Sequence, residues 1–124
     1  MNLLYKVFRP CDIESKYDKQ LRRCSMRNLG HMWYEFMNNR NCNKSKVVIC
    51  FDDDKIVGWG YRFKYKKNPT NNYSIMLFVY KSYRNLGIGT RIYRKLTRGI
   101  KLSKLEVYLD ESNKGFFRSV KIIN

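Results

Sequence analysis

The sequence predicts one α/β (α+β) domain over residues 1–124, with elements in the order β-α-α-β-β-β-α-β-α. Three observations carry that prediction. Short apolar runs of strand length recur, most clearly Val47–Phe51 and Ile75–Tyr80, and residues 55–66 alternate with a period of two. Between them, apolar residues recur at helical spacing. Finally, 124 residues with 44% apolar and 15% aromatic content can bury one core but not two, and no linker, repeat or low-complexity stretch divides them.

Taken in order, residues 3–8 (L-L-Y-K-V-F) read as a first strand, stopped by Pro10. Asp12 is the expected N-cap of a helix with Ile13, Tyr17, Leu21 and Cys24 on its apolar face. Asn28 and Gly30 break it, and Met32, Trp33, Phe36 and Met37 begin a second short helix. A polar loop leads to a strand at 46–51. The triplet Asp52-Asp53-Asp54 is a tight, solvated connection, since adjacent carboxylates point apart and hold a metal poorly. In the strand 55–66, Val57, Trp59, Tyr61, Phe63 and Tyr65 face one way, and Gly58, Gly60, Arg62, Lys64 and Lys66 the other. After Ile75–Tyr80 comes a helix with Ile88, Ile92 and Leu96 on one face, a strand at 104–109, and a last helix from about Glu111.

Composition excludes several classes. No apolar run approaches the ~18 residues of a membrane span. The first ten residues lack a signal-peptide core, so the cytoplasm is the expected compartment. Cys11, Cys24, Cys42 and Cys50 form no C-x-x-C pair and His31 is the only histidine, so no zinc site is expected and the thiols read as reduced. The net charge is +16, and from Lys55 to Leu105 there are thirteen Lys and Arg residues without one Asp or Glu. Such an excess points to a polyanionic partner, nucleic acid or ribonucleoprotein, against the plainer reading of a solvated cationic face. Alanine is absent while Asn, Lys, Ile and Tyr abound, a bias of AT-rich codons that suggests a phage or viral source, and hence a host cytoplasm.

The most informative stretch is V-Y-K-S-Y-R-N-L-G-I-G-T, residues 79–90, where a strand gives way to a helix through Arg84-x-x-Gly87-x-Gly89. A glycine turn at a helix N-terminus leaves backbone amides unpaired, and those amides bind phosphate. The alternative is a tight turn and nothing more. The spacing is neither G-x-G-x-x-G nor a P-loop.

This segment resembles the acyl-CoA-binding motif of the GNAT N-acetyltransferases, V-x-P-x-x-[RQ]-x-x-G-x-[GA]. Val79, Arg84, Gly87 and Gly89 match, and Lys81 stands where proline is common. The element order resembles that family along nearly the whole chain, which implies a mixed, mainly antiparallel central sheet flanked by helices. The resemblance implies acetyl-CoA as cofactor and no metal. It places the pantetheine arm beside Phe78 and Val79, the pyrophosphate on the amides of Asn85, Leu86, Gly87, Ile88, Gly89 and Thr90, and Arg84 over the phosphates. Asn113 matches the asparagine that contacts pantetheine. Phe117 falls where a tyrosine often protonates the thiolate, and a phenyl ring has no proton to give. Tyr73 stands where a glutamate base is common, and Lys121 and Ile122 replace the usual Gly-Phe. Substitutes for the missing acid and base are Tyr73, Glu106, Tyr108 or water. Family members generally continue with further strands beyond this length, so an exposed sheet edge, open to dimerisation, is expected.

Two functions compete on this basis. One is an acetyl-CoA-dependent N-acetyltransferase acting on a macromolecular amine, a lysine of a nucleic-acid-binding protein or an aminoalkylated base of modified DNA. The other is a non-catalytic module of the same fold that grips nucleic acid or a host complex. For either, Arg94, Lys95 and Arg98 recur at three- and four-residue spacing away from Ile88, Ile92 and Leu96, as a cationic ridge for direct nucleic-acid contact. Arg91, nearer the turn, is left to the cofactor's phosphates.

Overall fold

The computed structural model describes residues 1–24, 31–38, 45–64, 72–107 and Phe116. Five strands form one sheet in the order β1 (Leu3–Phe8), β2 (Lys46–Asp52), β3 (Lys55–Phe63), β4 (Tyr73–Val79) and β5 (Leu105–Val107). The first three junctions are antiparallel; β4 and β5 run parallel. A parallel pair cannot be closed by a hairpin, and helix α3 (Ile88–Thr97) provides the crossover. The mixed, mainly antiparallel sheet with flanking helices is therefore as expected. The final helix and Tyr65 lie outside the described residues, Phe116 apart.

Each face of the sheet has its own core. On one side Trp59, Tyr61, Phe63, Ile49 and Phe51 pack with Leu21 of α1 (Asp18–Arg23) and Phe36 of α2 (His31–Asn38). Phe36 meets Trp59 and Tyr61 edge-on, at 5.5 and 5.8 Å between ring centroids. The Trp59 indole donates to the Cys24 carbonyl, so no buried donor is left over there. On the other side Ile88, Ile92, Tyr93 and Leu96 of α3 pack on Val48, Cys50, Val57, Ile75 and Val79. Gly60 lets α3 come that close: a Cβ on it would lie 2.6 Å from both Ile92 Cγ2 and Leu96 Cδ1.

Two expectations fail locally. Asp12 does not cap the first helix. Its carboxylate is held by Arg9 Nε at 2.8 Å, and the segment runs as two 3₁₀ turns, Pro10–Asp12 and Ser15–Tyr17, before α1 begins at Asp18. Val57 does not share the face of Trp59. The β2–β3 register shifts between Cys50 and Phe51, pairing them with Gly58 and Ile56, and the extra residue turns Val57 toward α3.

Candidate active site

The strand-to-helix junction is assembled by hydrogen bonds from three directions. Leaving β4, the Tyr80 amide donates to the Val57 carbonyl (3.0 Å), and a 3₁₀ turn over Lys81–Tyr83 closes with Tyr83 N–H on Tyr80 O at 2.8 Å. Arg84 then braces the turn: its Nε donates to the Val79 carbonyl at 2.9 Å, with the guanidinium carbon 5.6 Å from the Phe78 ring centre. Tyr83 donates its hydroxyl to Asp52 Oδ2 at 2.7 Å, and Asp52 Oδ1 accepts from the Asn2 amide at 3.0 Å. Those two donors, Asn2 first, hold the Asp52 carboxyl below the ordinary aspartate range.

Asn85 (φ 64°) and Gly87 (φ 81°) both take the left-handed conformation, asparagine being among the few side chains that tolerate it. Gly87 is the N-cap of α3 and brings no side chain to its amides. The first helical bond is Arg91 N–H to Gly87 O, at 3.1 Å. Among the described residues nothing accepts from the amides of Asn85, Leu86, Gly87, Ile88, Gly89 and Thr90. Space above them is open at Gly87, where a Cβ would meet nothing within 4 Å. At Gly89 a Cβ would lie 3.0 Å from the ring of Phe116, which also meets Tyr93 edge-on at 6.4 Å.

Next to this turn the sheet is left incomplete. β5 pairs with Tyr73, Ser74 and Ile75 only, so Met76–Val79 carry no strand on that side among the described residues. An unpaired strand edge leading to uncapped helix amides suits a ligand that is amide-bearing at one end and anionic at the other.

The catalytic candidates are dispersed. Tyr73 stands at the start of β4, six residues before Val79 and about 20 Å along the strand. Its ring lies on the α3 side, 4.9 Å from the Arg62 guanidinium. Glu106 is across from Ser74, which pairs with Phe63, and so projects on the opposite face, where Asn72 donates to it at 3.2 Å. Tyr108, Asn113 and Phe117 lie outside the described residues. Burial pushes the Cys24 thiol up to about 12 and raises that of Cys50, so neither is a nucleophile at neutral pH. Among the described residues no three His, Cys, Asp or Glu side chains gather to hold a metal, and no helix is long and apolar enough to cross a membrane.

On the far part of α3, Arg94 and Arg98 are exposed and Lys95 is half-buried. Arg98 is the C-cap, since the helix stops at Thr97 and Gly99 follows at φ 79°. Three interactions could not be read from the sequence: the Asn2–Asp52–Tyr83 strap, and two cations on the last carbonyls of α3. Lys46 Nζ donates to Lys95 O and Arg62 Nη1 to Leu96 O, each at 2.8 Å.

Residues 2–119 match the model of the acetyltransferase (GNAT) family. The chain belongs to that family. Its members are acetyl-CoA-dependent N-acetyltransferases, and acetyl-CoA is this enzyme's cofactor. No curated protein sequence matches the chain. Solved structures do, at identities that speak for the fold alone. One, described as a "predicted acetyltransferase with acetyl-CoA" from Clostridium acetobutylicum, is 15% identical with a TM-score of 0.68, covering 98% of this chain and 90% of that one. Glucosamine-6-phosphate N-acetyltransferase from Arabidopsis thaliana is 14% identical (TM-score 0.65; 100% and 93% covered). An N-acetyltransferase from Staphylococcus aureus Mu50 is 12% identical (TM-score 0.68; 98% and 80% covered).

Proposed function

We propose that this N-acetyltransferase modifies an amine of a macromolecular, polyanionic acceptor, a lysine of a nucleic-acid-binding protein or an aminoalkylated base of modified DNA. The observation that carries the cofactor half is the run of uncapped amides from Asn85 to Thr90, opened by two left-handed residues. These amides and the N-terminal dipole of α3 hold the anionic end of acetyl-CoA. Arg84 keeps the turn in shape through Val79, and its Nη groups add positive charge at the phosphates. Phe78 and Val79, on the stretch of β4 that has no strand beside it among the described residues, line the pantetheine arm, and the family resemblance adds Asn113 and Phe117 to it. When bound, acetyl-CoA supplies an acyl group on a thioester, which a neutral amine attacks.

The residues' share of the chemistry is positioning more than acid–base work. Nothing from Lys55 to Leu105 is a carboxylate, and Glu106, across from Ser74 at the start of β4, projects on the face opposite Tyr73. The proton leaves through water, or the amine enters already neutral; Tyr73, though on β4, stands about 20 Å along the strand from Val79, too far to take it. The macromolecular acceptor rests on the thirteen cations between Lys55 and Leu105, and on exposed Arg94 and Arg98 with half-buried Lys95 between them.

Calorimetric titration with acetyl-CoA tests the cofactor half, with about 100 µM as the weakest affinity compatible with it. Acetylation of a basic nucleic-acid-binding protein, set against free aminosugars, tests the acceptor. Turnover of the aminosugars alone would refute a macromolecular substrate.

A further inference from the structure

At the opposite end of the sheet from the glycine turn lies a cleft of about 540 Å³, lined among others by Arg9, Asp12, Lys46, Arg62 and Tyr73. Its charge is lopsided. Asp12 is the single carboxylate of the lining, and Arg9 holds both its oxygens, at 2.8 and 3.4 Å. Among the described residues no carboxylate pairs with Lys46 or Arg62, and Lys64 stands nearby, its Nζ 4.4 Å from the Tyr73 ring centre.

Capping of α3 accounts for only part of this. It uses one proton of Lys46 and Nη1 of Arg62. The Arg62 Nε is buried with no hydrogen-bond partner among the described residues, and a buried charged donor left unmet is costly. Burial, and then Arg62, Arg98 and Lys95, make the charged form of Lys46 harder to keep. Lys46 and Arg62, side by side on the cleft wall with no counterion among the described residues, favour an anion entering it. A guanidinium, an ammonium and a phenol line the cleft from three neighbouring strands, a set that suits a tetrahedral dianion.

We propose that this cleft is an oxyanion site that takes a phosphate group, held by Lys46, Arg62 and the Tyr73 hydroxyl and separate from the cofactor turn. The bond from Lys46 Nζ to the Lys95 carbonyl sets it beside the C-terminal end of α3. The phosphate belongs to the acceptor; that clause rests on the acetyltransferase reading above, whereas the site itself does not.

The test is a titration of the whole chain with inorganic phosphate, followed by the NMR signals of the Tyr73 ring and the Lys46 side chain. Saturable shifts of both are expected. Lys46→Gln and Tyr73→Phe should each weaken phosphate binding, Lys46→Gln by about ten-fold, with acetyl-CoA affinity unchanged. The Tyr73→Phe change keeps the ring and the fold should Lys46→Gln loosen α3. Absence of saturable shifts, or phosphate affinity unchanged from the wild type in both variants, overturns the site. Loss of acetyl-CoA binding in the wild type with phosphate binding intact would sink the cofactor turn and leave this cleft standing. Two further titrants identify the source of the group: phosphoethanolamine binding more tightly than a short single-stranded DNA without terminal phosphates assigns a small phosphorylated amine, and the reverse order a nucleic-acid backbone.

Discussion

The two ends of α3 are built in opposite ways. At its C-terminus the last carbonyls are met by Lys46 and Arg62, and Gly99 closes the chain beyond Arg98. At its N-terminus Gly87 brings no cap and the amides of the first turn are left unmet. Both ends lie on the same sheet face, so general packing does not explain the contrast. Ser, Thr, Asp or Asn at the N-cap would give these amides a side-chain acceptor, worth roughly a few tenths of a kcal/mol over glycine. Forgoing that stabilisation makes sense where a ligand completes the cap.

The largest effect expected on this comparison comes from Gly60→Val, which removes the contact that seats both ends. With a Cβ already 2.6 Å from Ile92 and Leu96, α3 must lift, and stability should fall by about 3 kcal/mol or more. Thermal unfolding measures it; an unchanged midpoint would mean that α3 is not seated through Gly60.

Next, reversing Arg94, Lys95 and Arg98 to Glu should leave acetyl-CoA affinity intact and cut nucleic-acid binding. The slope of log affinity against log salt should shrink by about 2 to 3, as for three lost phosphate contacts. Binding at two salt concentrations decides, and an unchanged slope would reduce the ridge to a solvated face.

Gly87→Glu separates the N-terminal end from the rest. No atom lies within 4 Å of a Cβ there, so the fold should survive the left-handed strain, at about 1 kcal/mol. Acetyl-CoA affinity should fall about ten-fold or more, because a carboxylate replaces open space above the amides. Calorimetry beside a melting curve distinguishes the two. Gly89→Glu is the poorer probe, since the Phe116 ring must also move.

The smallest effect is expected from Asp52→Asn. The folded Asp52 carboxyl is held below its ordinary range, so the strap to Tyr83 is in place above that range and is lost as pH falls through the depressed value. Acetyl-CoA affinity should drop a few-fold in the variant, with the wild type converging on it in acid. Parallel curves at every pH would show that the strap does not shape the turn.

How much of this could be read from the residues follows from the range of the interactions. The strand–turn–helix at 75–97 was legible because its period changes from buried run to helix across two glycines, all within one stretch of chain. Alternation along β3 was legible only from Gly58 onward, because the bulge that turns Val57 depends on which residue of β2 it faces. Asp12 looked like a cap by type, but Arg9 three residues earlier competes for the same oxygens. That Tyr73 and Glu106 face opposite sides follows from the β4–β5 register, which no single strand reveals. Lys46 and Arg62 read as surface cations, and their contacts with α3, 49 and 34 residues away, gave no local signal.

The contact between Asn2 and Asp52 has a practical corollary. Through Tyr83, the extreme amino end of the chain is two hydrogen bonds from the turn that opens α3, although some eighty positions separate them in sequence. Trimming the first two residues for crystallisation, or tugging on them with a bulky fusion, therefore reaches the candidate cofactor site.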